Sequence, residues 1–120
     1  MIKFYAYKGC SSCRTAEKFL KDQEIPYTFI DIATAPPSPK ELIVLVKKSG
    51  LELKKFLNTS GEVYRELGLK DKLASMSEVQ IINLLAGNGR LIKRPLITDD
   101  TRVTVGFKDD AEKVWSTKKR

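Results

Sequence analysis

The chain has 120 residues, 42% of them hydrophobic and 31% charged, with a formal net charge of +7. That length holds one domain with a core of its own, and the composition is that of a folded chain, not a disordered or fibrous one. No apolar run approaches the ~20 residues that span a bilayer. The opening Met1-Ile2-Lys3-Phe4-Tyr5 has no signal-peptide pattern, so the chain is expected to be cytoplasmic, with no membrane partner.

The first element in chain order is Ile2 to Tyr7, rich in aromatic and branched residues, which predicts a strand. Lys8-Gly9 breaks it. Arg14 to Glu24 then places Ala16, Phe19 and Leu20 at i, i+3 and i+4, an amphipathic helix ending before Pro26. Tyr27 to Ile32 is a second strand, and the β-α-β order favours a parallel pair. Ala35-Pro36-Pro37-Ser38 is a loop. Ser38-Pro39-Lys40-Glu41 supplies an N-cap, a proline at N1 and a capping-box glutamate for a helix that packs Leu42, Leu45 and Val46 and stops at Ser49-Gly50. Residues 51–76 read as short helices, Leu53 to Leu57 and Val63 to Leu67. Ser77-x-x-Gln80 is a second capping box, opening a helix through Ala86 that Gly87-Asn88-Gly89 ends. The period then returns to two. Leu91 to Ile97 and Arg102 to Phe107 are predicted strands, with a turn around Asp99-Asp100-Thr101. Asp109 or Asp110 caps a last helix carrying Val114 and Trp115.

This order, βα β, several helices, then ββα, resembles a thioredoxin-like α/β frame: a mixed four-stranded sheet with an all-helical insertion after the second strand. Residues 1–34 and 90–120 would form the thioredoxin-like part and 38–88 the insertion, all within a single domain over 1–120.

Only two cysteines occur, in Cys10-Ser11-Ser12-Cys13 at the first strand-to-helix junction. That placement points to thiol redox chemistry. Cys10 falls just before the first helical turn, where unpaired N–H groups and the positive end of the helix dipole stabilise a thiolate. Lys8 and Arg14 add positive charge, and no acid interrupts positions 8–14. Cys13, three residues on, shares a helical face with Cys10, within reach of a disulfide, and suits a shielded resolving thiol. The competing readings are a buried unreactive pair and a zinc site. Two cysteines without any histidine leave a tetrahedral site half filled, so no metal is expected. The absence of histidine also removes serine–histidine catalysis.

Lys93-Arg94-Pro95-Leu96 puts a proline early in a predicted strand, directly after a base. In a thioredoxin-like frame the strand after the insertion begins with a cis-proline against the cysteine loop. If Pro95 is that residue, Arg94 is carried to the cysteines, where a guanidinium can grip a tetrahedral oxyanion through its fork. The alternative is a pair of surface bases at a strand end. The overall charge divides as +1 over residues 1–37, +3 over 38–77 and +3 over 78–120, the last matching Lys118-Lys119-Arg120 alone. A solvated surface with a basic tail accounts for it. With no aromatic–basic stripe and no DNA-binding motif, no direct nucleic-acid contact is expected.

Taken together, Gly9-Cys10-Ser11-Ser12-Cys13-Arg14, Arg65-Glu66-Leu67-Gly68-Leu69, Arg94-Pro95-Leu96 and Val105-Gly106-Phe107 resemble the arsenate reductase (ArsC)/Spx family in order and spacing, over nearly the whole chain. The resemblance implies an oxidoreductase in which a nucleophilic cysteine attacks arsenate, with an external thiol, glutathione with glutaredoxin or thioredoxin, as reductant and protein partner and no bound cofactor. Carried over residue by residue, it makes Cys10 the nucleophile, Cys13 the resolving thiol and Arg94 the oxyanion partner, with Lys8, Ser11, Ser12, Arg14 and Pro95 around the substrate. Two departures stand out. Cys13 occupies a place usually held by serine, and Asn58 and Gly106 stand near the places of two further arginines, with Arg65 and Arg102 as candidate substitutes. The Cys-x-x-Cys and the Val-Gly-Phe ending resemble the Spx branch, which implies a redox-sensing regulator that binds the RNA polymerase α subunit. The longer basic C-terminal extension of that branch is not seen here.

Overall fold

The structure, a computed structural model, describes residues 2–59, 61–99 and 101–116. Its centre is strand β1 (Ile2–Ala6), which pairs in parallel with β2 (Tyr27–Asp31), Phe4 opposite Phe29, and antiparallel with β3 (Leu96–Thr98), Phe4 opposite Ile97. Strand β4 (Val103–Val105) closes the order β2-β1-β3-β4. A central strand covered on both faces has to be apolar on both, and four of the five β1 residues are buried. Ile2, Phe4 and Ala6 face one layer with Cys13, Ala16, Leu20, Ile97, Ala111 and Trp115, whereas Tyr5 packs with Ile32, Leu42, Phe56, Leu85 and Leu96 in the other. The sheet therefore lies between helices α1 (Ser11–Asp22) and α6 (Asp109–Trp115) on one side and the helical insertion on the other.

That insertion runs α2 (Pro39–Ser49), a 3-10 turn at Leu53–Phe56, α3 (Glu62–Glu66), α4 (Leu69–Lys72), a 3-10 turn at Leu73–Ser75 and α5 (Glu78–Gly87). Both capping boxes form. The Glu41 amide donates to Ser38 Oγ at 3.1 Å while Glu41 Oε1 accepts from the Ser38 amide at 2.9 Å, and Ser77 and Gln80 repeat the exchange.

Several boundaries differ from the sequence expectation: β1 and β2 each end one residue early, and β4, expected over Arg102 to Phe107, covers only Val103–Val105. Helix α1 begins at Ser11, three residues early, because Cys10 itself is its cap, and it ends at Asp22, followed by Glu24 at φ 58. Strand β3 begins at Leu96, not Leu91. Residues Gly89–Leu91 form a 3-10 turn, Ile92 makes a single bridge to Leu57, and Pro95 has no amide to give a ladder, so the strand starts only after it; the Arg94–Pro95 peptide is cis. The apolar run 91–97 is buried throughout its hydrophobic positions, but by a turn first and a strand second. The last helix takes Lys108 as its N-cap, placing Asp109 and Asp110 in its first turn rather than at the cap. The expected turn at 99–101 is held by Asp99 Oδ1, which accepts from the Thr101 and Arg102 amides; Asp100 lies outside the described residues.

Candidate active site

The cysteine loop follows directly from the end of β1. The Cys10 amide donates to the Tyr7 carbonyl at 3.1 Å, and the Arg14 amide donates to the Cys10 carbonyl at 3.1 Å. At the N-cap of α1, Cys10 Sγ accepts from the Cys13 amide at 3.3 Å. Serine, threonine, aspartate or asparagine normally fills this role, so a sulfur there receives a backbone N–H and the positive end of a 12-residue helix with no acid in its first turn. Cys10 is half-buried and Cys13 buried, both as free thiols.

The two sulfurs are pushed apart electrostatically. Burial raises the Cys10 pKa, but hydrogen bonds from the Cys13 thiol and amide, with the hydrogen bond and charge of Arg94, outweigh it and hold Cys10 below its ordinary value of 9.0. Burial drives Cys13 the other way, to about 12, reinforced by its hydrogen bond to Cys10 and the Cys10 negative charge, with the Tyr7 backbone and Arg94 pulling back. The thiolate of Cys10 is thus easier to form than that of an ordinary cysteine, and the Cys13 proton is harder to remove.

Arg94 reaches the site because residues 92–95 are pinned from both layers. The Lys93 amide donates to the Phe56 carbonyl at 2.8 Å on the insertion side, and the Gly106 amide donates to the Pro95 carbonyl at 3.0 Å on the sheet side. Arg94 Nη1 donates to the Arg90 carbonyl at 3.1 Å, and its buried Nε has no hydrogen-bond partner among the described residues. Its guanidinium carbon lies 5.4 Å from the centroid of the Tyr7 ring.

Of the other expected residues, Lys8, Arg14 and Ser12 line two clefts, one of which includes Cys13, and Ser11 and Pro95 line neither. Lys8 and Arg14 are exposed and line a cavity of about 410 Å³ with Tyr7, Cys13, Glu17 and Phe29, on the Cys13 side. Ser12 lines a cavity of about 580 Å³ with Arg94, Lys93, Lys55 and β4. Ser11 is exposed in the first turn, where its carbonyl accepts from the Thr15 hydroxyl, and Pro95 is buried. Among the described residues no group of three or more His, Cys, Asp or Glu gathers, and no helix is long and apolar enough to cross a membrane.

Of the candidate substitute arginines, Arg102 is committed elsewhere. It pairs with Asp99 at 2.7 Å, donates to the Val114 carbonyl at 2.8 Å and lies 4.5 Å above the Trp115 ring, so it bolts β4 to α6. Arg65 is exposed on α3. Gly106 adopts φ 77, and a Cβ there would stand 3.0 Å from Lys93 Cε, so the Lys93 stem crosses the space a side chain would need. The sequence reading left out Tyr7 and Arg90, which the structure brings beside Arg94. Arg90 Nη2 donates to the Tyr7 hydroxyl at 3.2 Å across 83 residues of chain, and the Arg90 guanidinium carbon lies 5.3 Å from the Tyr7 centroid.

A half-buried, low-pKa cysteine capping a helix, a buried high-pKa cysteine one turn on and a guanidinium beside them define a dithiol site on a thioredoxin-like sheet. The chain belongs to the ArsC family, whose profile matches residues 5–114. It is 53% identical over 116 residues to the uncharacterised protein YusI of Bacillus subtilis (strain 168), covering 96% of this chain and 98% of that one. It is 29% identical over 110 residues to the global transcriptional regulator Spx of Streptococcus mutans, covering 92% of this chain and 79% of the regulator. Among solved structures, an ArsC family related protein from Bacteroides fragilis superposes with a TM-score of 0.90 at 44% identity, covering 94% of this chain and 95% of that one. A structure described as "a possible arsenate reductase" from Streptococcus mutans UA159 superposes with a TM-score of 0.88 at 45% identity, covering 95% and 97%.

Proposed function

We propose that the chain is a dithiol arsenate reductase of the ArsC family. The observation that carries this reading is geometric: Cys10 Sγ caps α1 and accepts from the Cys13 amide at 3.3 Å, with Cys13 buried one turn on and both thiols free, and the directions of the two thiol shifts agree with it. The Cys10 thiolate attacks arsenic(V) of arsenate, and one arsenate oxygen leaves as water, giving a thiol–arsenate adduct. Arg94 neutralises the oxyanion during the attack. Once the Cys10 sulfur is bonded to arsenic it carries no thiolate charge and accepts more weakly from Cys13, so two of the three causes that raise the Cys13 pKa fade. Cys13 thereby loses its proton more easily at the step that needs it, with burial, the largest cause, still in place. Its sulfur attacks Cys10 Sγ, the S–S bond forms, and the S–As bond breaks with its electron pair left on arsenic, which departs as arsenite. One arsenate and two thiols give one arsenite, one water and one disulfide. An external dithiol, glutathione-linked glutaredoxin or thioredoxin, returns the disulfide to two thiols.

The test is an arsenate-reduction assay with glutaredoxin and thioredoxin supplied separately, on wild type, Cys10→Ser, Cys13→Ser and Arg94→Ala. The reading expects turnover with at least one reductant and loss of it in all three variants. Arsenate reduction that survives Cys10→Ser overturns it.

The similarity to Spx favours a second reading, a redox-controlled regulator that turns nothing over. Here the Cys10–Cys13 disulfide is the signal and the RNA polymerase α subunit the partner. A pull-down with the α subunit, with and without oxidant, separates the two, and absence of binding in both states removes the regulator.

A further inference from the structure

Arg90 and Arg94 put two guanidiniums on one aromatic ring. Both carbons lie within 5.4 Å of the Tyr7 centroid, and the Arg94 side chain is tied to the Arg90 backbone by the 3.1 Å bond to its carbonyl. Like charges gathered this way repel, and the ring's π-face offsets only part of that. A carboxylate would normally finish the neutralisation. Among the described residues neither guanidinium pairs with one: the ion pairs found there are Lys18–Asp22 and Arg102–Asp99. Glu17, the acid in the neighbouring cleft, accepts from the Tyr27 hydroxyl at 2.6 Å.

The pair is also built rigidly. Gly89 sits against β2's exit so closely that a Cβ would lie 1.7 Å from the Ile32 carbonyl oxygen, which fixes the turn from which Arg90 projects. Tyr7 carries the other end. Its carbonyl accepts from the Cys10 amide, so the ring that seats the guanidiniums and the loop that holds the nucleophile share one residue.

We propose that Arg90 is the second guanidinium of the anion site, acting with Arg94 across Tyr7 to hold a doubly charged tetrahedral oxyanion in front of Cys10. The inference rests on the reading of Cys10 as a nucleophile toward such an anion. A thiolate and a dianion repel; two guanidiniums match the two charges of the dianion, where one matches only half of them. Two forked donors on a rigid seat also supply the bidentate geometry that a tetrahedral anion accepts.

Inorganic phosphate is an unreactive probe of this site. In the Cys13→Ser chain, the alkylation rate of Cys10 by neutral iodoacetamide is followed against phosphate concentration, with acetate and chloride at matched ionic strength as controls. Phosphate is expected to protect Cys10 better than either control. Arg90→Gln is expected to raise the half-protecting concentration about tenfold, the loss of one charge-assisted contact, while leaving the pH profile of phosphate-free alkylation in place. Arg90→Lys should fall between. An unchanged half-protecting concentration in Arg90→Gln overturns the proposal, as does protection no better than the controls give. Protection requires no turnover, so a chain that holds phosphate through Arg90 yet reduces no arsenate keeps this inference and loses the arsenate reading.

Discussion

The asymmetry of the two thiols can be measured one sulfur at a time. Cys10→Ser leaves Cys13 alone and preserves a side-chain acceptor at the helix cap; Cys13→Ser leaves Cys10 alone. A thiol at pKa about 12 is thiolate in roughly one molecule in 10⁴ at pH 8, whereas one at 9.0 is thiolate in roughly one in ten, a factor of about 10³ in the reactive species. Cys10→Ser removes the hydrogen bond and charge that Cys10 contributes, so part of that factor is returned, but burial, the largest cause, stays. Cys13 is 3% exposed, which slows any reagent further. At pH 8, Cys10 in the Cys13→Ser chain is expected to alkylate at least about 10² times faster than Cys13 in the Cys10→Ser chain. Stopped-flow or mass-spectrometric rates with iodoacetamide from pH 5 to 10 give both profiles. Rates within a factor of about three of each other across that range would refute the assignment of nucleophile and resolving thiol.

Three further outcomes are expected. Arg94→Gln removes a hydrogen bond and a positive charge from Cys10, so the midpoint of the Cys10 pH–alkylation profile moves up; a midpoint that stays or falls contradicts the role given to Arg94. Gly89→Ala drives a methyl group into the Ile32 carbonyl, and urea unfolding should show a loss of about 3 kcal/mol or more, since backbone on both sides must shift; a loss under about 1 kcal/mol contradicts the close approach. Asp99 has its pKa held at about 2, against burial, by the Arg102 and Thr101 amides and the Arg102 charge. A depressed folded-state pKa stabilises above the unfolded value of 3.8 and is lost as pH falls through about 2. After screening at the half-exposed Arg102, Asp99→Asn should cost about 1 kcal/mol at pH 7 and close to nothing at pH 2, measured by urea midpoints.

Much of this architecture is local and therefore legible in the sequence. Ser38-Pro39-Lys40-Glu41 and Ser77-x-x-Gln80 each contain both partners of a capping box within four residues, and both helices start where those residues place them. β1 was readable from its aromatic and branched residues, which a strand covered on both faces requires. The start of β3 was not. Leu91 and Ile92 are as apolar as Leu96 and Ile97, and what makes them a turn and a bridge is the long-range clip in which Asn58 and Lys93 donate to Leu91 and Phe56. The place of Cys10 just before the first helical turn was legible, but the helix start was not, because the apolar spacing that marks the helix begins only at Ala16 and put the start at Arg14. Arg102 looked available for an anion because its partners Trp115 and the Val114 carbonyl come from α6, 12 or 13 residues away. Arg90 could not be singled out at all, since nothing local distinguishes it from Lys93 and its link to Tyr7 spans 83 residues.

The central claim is that two electrons pass from Cys10 and Cys13 to one oxyanion. It is tested most directly by a single turnover without any reductant, in which fully reduced protein is mixed with excess arsenate and both arsenite and the peptide joining Cys10 to Cys13 are quantified. One arsenite and one Cys10–Cys13 disulfide per chain is the predicted result. Arsenite formed with both thiols still free, or no arsenite while both thiols persist, would contradict it.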